Sequence, residues 1–162
     1  MPTAVEGRFR LVPAVYVLLQ RTHGGGREVL LQLRRNTGFM DGHWASGAAG
    51  HVELGESVHA AAVREVREEL GITITADDLV PLTVLHKRDG DDAPLSQRVD
   101  FFFTCDRWHG VPTIQEPLKC GGLDWFSLSV LPTPVARTEL FVLTQLAAGQ
   151  VSLMSSLGFD SD

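Results

Sequence analysis

Three glutamates in one predicted helix have the spacing needed to hold a divalent cation. Glu65, Glu68 and Glu69 follow the pattern i, i+3, i+4 within residues 57–70. At about 100° per residue, their carboxylates fall on one side of an α-helix and lie close together. A hard cation such as Mg²⁺ relieves the resulting repulsion, because it prefers carboxylate oxygens. The sequence therefore predicts a magnesium site on this face, with Mn²⁺ as the alternative cation.

The helix that carries these glutamates has clear end signals. Ser57 is a good N-cap, and Gly71 suits the left-handed position that ends a helix. Arg64 lies four residues before Glu68, so we expect the two side chains to pair. The apolar stripe that faces the core is formed by Ala62, Val63, Val66 and Leu70. The competing interpretation is a solvated helix face, because surface charge pairs are common and weak.

The helix belongs to a longer pattern that begins at Gly50. Residues 50–72 read G-x5-E-x7-R-E-U-x-E-E-x-G-U, where U is apolar, and they include Glu56 and Gly71. A chance match is on the order of one in 10^8 per starting point, from average composition. The pattern resembles the Nudix box of the MutT-like Nudix hydrolases. The resemblance implies a three-layer α/β/α sandwich with a mixed sheet, in which the box forms a loop–helix–loop.

The resemblance also implies two further metal ligands. Glu116 lies in a segment that carries an additional acidic ligand in many members, although a loop glutamate before a proline has an ordinary structural explanation as well. Ala49 stands where a glycine carbonyl often touches the metal. The run at residues 46–50 is SGAAG, where many relatives have Leu-Pro-Gly-Gly, so the geometry of this loop is a departure from the family pattern.

Other residues are candidates for binding a substrate. Arg88 and Arg98 carry guanidinium groups, whose planar fork matches phosphate oxygens. Trp44 and Phe39 could stack on a base. Surface charge for the arginines and core packing for the aromatic side chains are the competing interpretations.

Together with the resemblance, these residues predict a Mg²⁺-dependent pyrophosphohydrolase that acts on a nucleoside diphosphate linked to another group. Water would attack phosphorus; the resemblance implies Glu65 or Glu68 as general base, with Arg64 orienting the carboxylates. The substrate could be an NTP or dNTP, an NDP or a nucleotide sugar. One alternative is a nucleotide-binding Nudix module without catalysis. Another is an isoprenoid diphosphate isomerase, which shares the fold.

Composition narrows the partners and the compartment. The chain has 162 residues and a net charge of −6, which predicts no nucleic-acid partner. The resemblance implies a small-molecule nucleotide or nucleoside diphosphate derivative as the partner. Two cysteines without a CxxC motif predict a reducing compartment, hence the cytoplasm. The apolar run at residues 12–19 is too short to span a bilayer, so no membrane partner is expected. A homodimer stays open, since relatives are commonly dimeric.

The pattern of apolar residues and turns predicts one α/β domain over residues 1–162. Its core covers about residues 10–150, and residues 152–162 form a loosely packed tail. An α/β sandwich with a mixed sheet follows from the predicted order of elements. The predicted strands are residues 12–20, 28–33, 45–52, 79–86, 98–105 and 123–126, and the predicted helices are residues 57–70 and 134–148.

Overall fold

A long central strand, β1 (Val12–His23), organises the fold. The structure is a computed structural model that describes residues 7–90 and 96–160. Neighbouring side chains on a strand point to opposite faces. Val15, Val17 and Leu19 therefore pack into one core cluster, whereas Ala14, Tyr16 and Leu18 pack into a second. Both faces of β1 are buried, which explains its nearly continuous apolar sequence.

The sheet is mixed. Besides β1, its strands are β2 (Gly26–Arg34), β3 (Trp44–Ser46), β4 (Ala48–His51), β5 (Val80–Arg88), β6 (Gln97–Cys105), β7 (Cys120–Ser127) and β8 (Met154–Leu157). The main path of the sheet runs β3-β2-β1-β6-β5-β8, and β4 pairs with β1 while β7 pairs with β2. β1 runs parallel to β6 and β5 runs parallel to β8, whereas the remaining pairs are antiparallel.

Two α-helices cover opposite faces of the sheet. α1 (Val58–Leu70) buries Ala62 and Val66 in the first core cluster, and α2 (Arg137–Ala148) buries Leu143 in the second. This arrangement confirms the predicted α/β/α sandwich. Neither helix is long and apolar enough to cross a membrane, a finding that covers the residues described by the structure.

Two predicted boundaries shift for local reasons. The strand expected at residues 45–52 is divided into β3 and β4 around Gly47, where an added Cβ would lie 3.3 Å from the Leu30 carbonyl oxygen. α2 begins at Arg137, not at Pro134. The preceding residues instead hydrogen-bond to β3: Trp44 N donates to the Pro134 oxygen at 2.9 Å, and Ala136 N donates to the Trp44 oxygen at 2.8 Å.

The prediction of a loosely packed tail at residues 152–162 is wrong for its described part. β8 pairs in parallel with β5 over Met154–Leu157, and the Phe159 ring lies 4.6 Å from the His86 ring. An edge strand presents unpaired N–H and C=O groups, and the tail satisfies those of β5. Residues 161–162 lie outside the described residues.

Candidate active site

Both ends of α1 are fixed by their caps, as the sequence predicts. Ser57 Oγ accepts a hydrogen bond from Ala60 N at 3.1 Å. Gly71 has φ 69°, and its N–H donates to the Arg67 oxygen at 3.0 Å. A non-glycine residue is strained in this conformation. The caps therefore fix the register of the glutamates along the helix.

Gly50 leaves the space that the Glu65 carboxylate occupies. A Cβ at Gly50 would overlap both oxygens and the carboxyl carbon of Glu65. The side chain of Glu65 is only 12% exposed. Burial raises the pKa of Glu65, and the adjacent Arg64 opposes that increase. The first glycine of the box thus has a steric role: it lets a carboxylate lie against β4.

Arg64 forms ion pairs with three glutamates of the box. It makes the predicted i, i+4 ion pair with Glu68 at 3.3 Å, and a shorter one with Glu65 at 2.6 Å. Its strongest partner is Glu56, whose two oxygens accept from Arg64 at 2.7 and 3.1 Å. Hydrogen bonds from Arg64 hold the pKa of Glu56 below its ordinary value. The sequence pattern includes Glu56, but its pairing with Arg64 becomes clear only in the structure.

Glu69 lies where α1 meets β4. Its Oε2 accepts from Ala49 N at 2.9 Å and from Gln32 Nε2 at 3.3 Å. Burial raises the pKa of Glu69 to about 8, and the charges of Glu65 and Glu116 add to that increase. Ala49 thus contacts Glu69 through its N–H, and the contact of its carbonyl with a metal stays a prediction. Gln32 was missed, although a polar residue within the apolar run EVLLQL of β2 is a signal for such a role.

The remaining predicted ligands are more exposed. The side chain of Glu68 is 60% exposed and that of Glu116 is 46% exposed. Within residues 7–90 and 96–160, no group of three acidic, His or Cys side chains already has the arrangement of a metal site. The donor chemistry nevertheless fits a hard divalent cation, since the donors are carboxylate oxygens. Their mutual repulsion contributes to the raised pKa values of Glu65 and Glu69, and a cation would relieve it.

A cleft of about 270 Å³ opens beside Glu69 and extends toward α2. Arg98, one of the predicted substrate ligands, lines this cleft. Its Nη2 donates to Tyr16 Oη at 3.3 Å, and its Nε donates to Asp100 Oδ1 at 3.3 Å. These bonds hold the guanidinium group at the cleft wall.

A buried ion network closes the far end of the cleft. Lys87 is 1% exposed, and its Nζ lies 3.1 Å from Asp89 Oδ2 and 3.5 Å from Asp100 Oδ2. It also donates to Thr138 Oγ1 at 2.9 Å. Burial raises the pKa of Asp100, and the neighbouring cations oppose that increase. Sequence reasoning missed this network, because its members come from two strands, the residue after one of them and a helix.

Glu139 is a further carboxyl group at this end. Its Oε1 accepts from Ser46 N and Ser46 Oγ, both at 3.2 Å. Burial raises the pKa of Glu139, and the Ser46 hydrogen bonds oppose that increase. An acidic residue on the apolar side of α2 was the available signal. The cleft therefore offers a second set of polar groups in addition to those of the box.

Two of the predicted substrate ligands do not line the cleft. Arg88 contacts the tail, with Nη2 3.3 Å from Asp160 Oδ1. Trp44 packs against Phe126 with a ring-centroid distance of 4.6 Å and belongs to the periphery of the second core cluster. Phe39 does line the cleft and is 48% exposed. The structure thus brings Phe39 and Arg98 to the cleft with Glu69 and Ala49.

A second cavity of about 320 Å³ lies on the other side of Glu69. Glu116 lines it, so the predicted fourth carboxylate shares a cavity with Glu69. The loop that carries Glu116 is held close to α1: Thr113 N donates to the Leu70 oxygen at 3.0 Å and Gln115 N donates to the Glu69 oxygen at 3.4 Å. The side chain of Gln115 also covers Gly71, where an added Cβ would lie 2.6 Å from its Nε2.

Known proteins match both the sequence and the fold. The chain is 33% identical over 131 residues to the NAD-capped RNA hydrolase NudC of Pseudomonas aeruginosa. The aligned region covers 81% of this chain and 41% of that protein. It is 41% identical over 58 residues to the nucleoside triphosphatase NudI of Salmonella agona, which covers 36% of this chain and 40% of that protein. The chain thus spans about two fifths of the length of these curated relatives.

Solved structures show the same fold. A MutT NUDIX hydrolase from Burkholderia pseudomallei has 28% identity and a TM-score of 0.68, with 83% of this chain and 98% of that chain covered. The NUDIX domain of Shewanella oneidensis NrtR, complexed with ADP ribose, has 19% identity and a TM-score of 0.72, with 91% and 94% covered. Residues 10–145 match the family model of the NUDIX domain. The chain therefore belongs to the Nudix hydrolase family.

Proposed function

We propose that this protein is a divalent-cation-dependent pyrophosphohydrolase of nucleoside diphosphate derivatives. The observation that carries the proposal is the position of Glu69, a half-buried carboxyl that lines both cavities next to the buried Glu65. Carboxylates concentrated between two cavities would suit a divalent cation, whose charge would offset the charge of a bound diphosphate. The named relatives act on a nucleoside triphosphate and on NAD-capped RNA, which supports a nucleotide-derived substrate.

The residues of the box would have separate roles in cation binding and proton transfer. Glu65, Glu68 and Glu69 would hold Mg²⁺ or Mn²⁺, with Glu116 and the carbonyl of Ala49 as further ligands. When bound, the cation neutralises the charge that develops on the phosphate oxygens. Glu65 or Glu68 would accept the proton of the attacking water.

Arg64 acts through the carboxylates, because it binds Glu56, Glu65 and Glu68 at the same time. Its fork fixes their positions before substrate arrives, and preorganised charges stabilise a transition state more effectively than mobile ones. Products would be a nucleoside monophosphate and the phosphorylated remaining group, or pyrophosphate when the substrate is a triphosphate.

The cleft would bind the nucleoside. Phe39 and Met40 provide apolar surface for the base at its rim, and Arg98 is placed to contact phosphate or sugar oxygens. Arg88 and Trp44 have contacts elsewhere and would affect binding only indirectly. We further propose a cytoplasmic protein whose partner is a small nucleotide derivative, either as a monomer or as a homodimer.

The test is product release from a panel of NTPs, NDPs, oxidised dNTPs, nucleotide sugars and dinucleotides with Mg²⁺. A Glu68→Gln, Glu69→Gln double variant is the matched control, since it keeps side-chain size and removes two charges. We expect turnover of at least one class, lost in the variant and without the cation. Binding without turnover across the panel would instead support a non-catalytic nucleotide-binding module. A rearranged allyl diphosphate product would support an isoprenoid diphosphate isomerase.

A further inference from the structure

The loop between β2 and β3, residues 35–43, supplies apolar side chains to the cleft. Phe39 and Met40 of this rim loop line the cleft, and Phe39 is 48% exposed. Surface loops are generally more mobile than the elements that they connect. Ordering a loop on binding costs affinity, so a rim that is ordered beforehand binds a ligand more tightly. The contacts that order the rim loop therefore bear on how tightly the cleft binds a base.

The backbone of the rim loop is held in an uncommon conformation. Its φ angles are 52°, 78°, 51° and 79° at Asn36, Gly38, Met40 and Gly42. Glycine adopts such values freely and asparagine tolerates them, whereas methionine rarely has them. A residue in a sparsely populated conformation persists only where its surroundings determine it. Contacts within the protein must therefore hold Met40 in place, next to the exposed ring of Phe39.

The carboxylate of Asp41 closes the turn that carries Phe39. Its Oδ1 accepts from Thr37 N at 2.9 Å and from Thr37 Oγ1 at 2.6 Å, and its Oδ2 accepts from Gly38 N at 3.1 Å. Hydrogen bonds to a charged acceptor are stronger than those between neutral groups. The same bonds, led by that of the Thr37 hydroxyl, hold the pKa of Asp41 below its ordinary value. Asp41 thus ties together the residues on both sides of the ring.

Arg34, the last residue of β2, joins the rim loop to the sheet. Its Nε donates to the Phe39 oxygen at 2.7 Å, and its Nη2 donates to Thr37 Oγ1 at 2.9 Å. Its backbone N donates to the His43 oxygen at 2.9 Å, and its own oxygen accepts from Gly42 N at 2.8 Å. The Thr37 hydroxyl therefore accepts from Arg34 and donates to Asp41, in one continuous chain of hydrogen bonds. The chain runs from the sheet to the carboxylate that closes the turn.

Asp41 can be changed without touching a group that faces the substrate. It is exposed and is not among the described residues that line either cavity. Arg34, in contrast, lines both cavities, so its replacement would change the cavities directly. Any effect of Asp41 on binding must therefore pass through the rim loop.

We propose that Asp41 is a positioning residue, which sets the affinity of the cleft for a base by holding Phe39 and Met40 at the rim. The proposal rests on the proposed function, because it assumes that the cleft binds the nucleoside. It predicts that loss of the Asp41 carboxylate weakens binding of the nucleoside part and leaves the cleavage step unchanged.

Calorimetric titration with Ca²⁺ in place of Mg²⁺ tests the proposal independently of turnover. ADP, GDP, CDP and UDP represent the part that the candidate substrates share, and inorganic pyrophosphate is the matched compound without a nucleoside. Asp41→Ala should raise Kd for the tightest-binding NDP about tenfold, as for the loss of one stacking contact. Kd for pyrophosphate should not change. An NDP affinity equal to that of the wild type, or an equal loss for pyrophosphate, would overturn the proposal.

Two further variants control for the change of charge and for folding. Asp106→Ala removes another exposed aspartate, one outside the described lining of both cavities, and should leave both Kd values unchanged. Asp41→Asn keeps an oxygen that can accept from Thr37 and loses the acceptor for Gly38 N. It should raise Kd for the NDP by a smaller factor, and it replaces Asp41→Ala if urea unfolding shows that the latter does not fold.

A double-mutant cycle tests whether Asp41 acts through the ring. Phe39→Ala alone should raise Kd for the same NDP about tenfold. In that background Asp41→Ala should add less than about twofold, because the two residues then act as one unit. Effects of the two substitutions that simply add would overturn the positioning role.

Kinetics and unfolding distinguish the remaining outcomes. For a substrate that is turned over, Asp41→Ala should raise KM and leave kcat within about twofold of the wild type. A loss of stability in urea with an unchanged Kd for the NDP would mean a purely structural role and would overturn the proposal. A wild type that binds none of the NDPs would overturn the proposed function as well, whereas equal binding by wild type and variant overturns this proposal alone.

Discussion

Replacing Glu69 with glutamine should stabilise the cation-free protein at high pH while it abolishes turnover. Glu69 is an ionisable group with a large cost of burial, and that cost raises its pKa from 4.5 to about 8. Glutamine keeps an oxygen that can accept from Ala49 N and Gln32 Nε2, and it removes the charge. The gain in stability and the loss of activity would then both follow from removal of the Glu69 charge.

The sign of the pH dependence follows from the raised pKa. Below pH 4.5 the carboxyl is protonated in the folded and unfolded states, so burial of its charge costs nothing. Between pH 4.5 and about 8 the unfolded chain ionises while the folded chain keeps its proton, so stability falls as pH rises. Between about pH 5 and about pH 9, this single group should lower the free energy of unfolding by about 4 kcal/mol.

The assay is urea unfolding of wild type and Glu69→Gln in EDTA at about pH 5 and about pH 9. The difference between the two proteins cancels the titrating groups that do not interact with Glu69. We expect the variant to gain about 4 kcal/mol relative to wild type between the two pH values, with most of the gain reached by about pH 8. A difference that does not grow with pH would refute the buried-charge account of Glu69.

Three other substitutions test separate parts of the structure. Gly50→Ala should displace the Glu65 carboxylate and lower kcat/KM about 100-fold or more in steady-state kinetics. The free energy of unfolding in urea should change by less than about 1 kcal/mol, because only the end of a flexible side chain must move. A loss of stability without a loss of activity would contradict this steric role of Gly50. Gly71→Ala should cost about 1–2 kcal/mol in urea unfolding, because φ is 69°; an unchanged midpoint would contradict the strain argument. Lys87→Met should cost about 3 kcal/mol, because it leaves the buried Asp100 without its lysine; a variant as stable as wild type would show that the network contributes no net stability.

The box and its helix could be predicted because the residues that determine them lie close together in the sequence. The caps of α1 depend on Ser57 and Gly71 and on backbone geometry within one turn of each. The spacing of the glutamates fixes their common face for any helix, whatever it packs against. Glu116 was available only through the family resemblance, since nothing in its own segment shows that it returns to Glu69.

The far end of the cleft could not be predicted, because it depends on strand register. Lys87 pairs with Arg98 across β5 and β6, so their side chains share a face, and Arg88 points to the other one. A shift of one residue would exchange the roles of Lys87 and Arg88. The parallel pairing of β8 with β5 joins residues about seventy positions apart and has no local signal either.

Hydrolysis in ¹⁸O-labelled water tests the central claim most directly. The ¹⁸O content of the products would be measured by mass spectrometry, with Mg²⁺ and with EDTA. Both the wild type and the Glu68→Gln, Glu69→Gln variant would be tested. The account predicts one ¹⁸O atom in a single phosphorylated product of the wild type with Mg²⁺, and no product in the other three reactions. Product without label, or labelled product formed equally by the double variant, would contradict water attack at a cation held by these carboxylates.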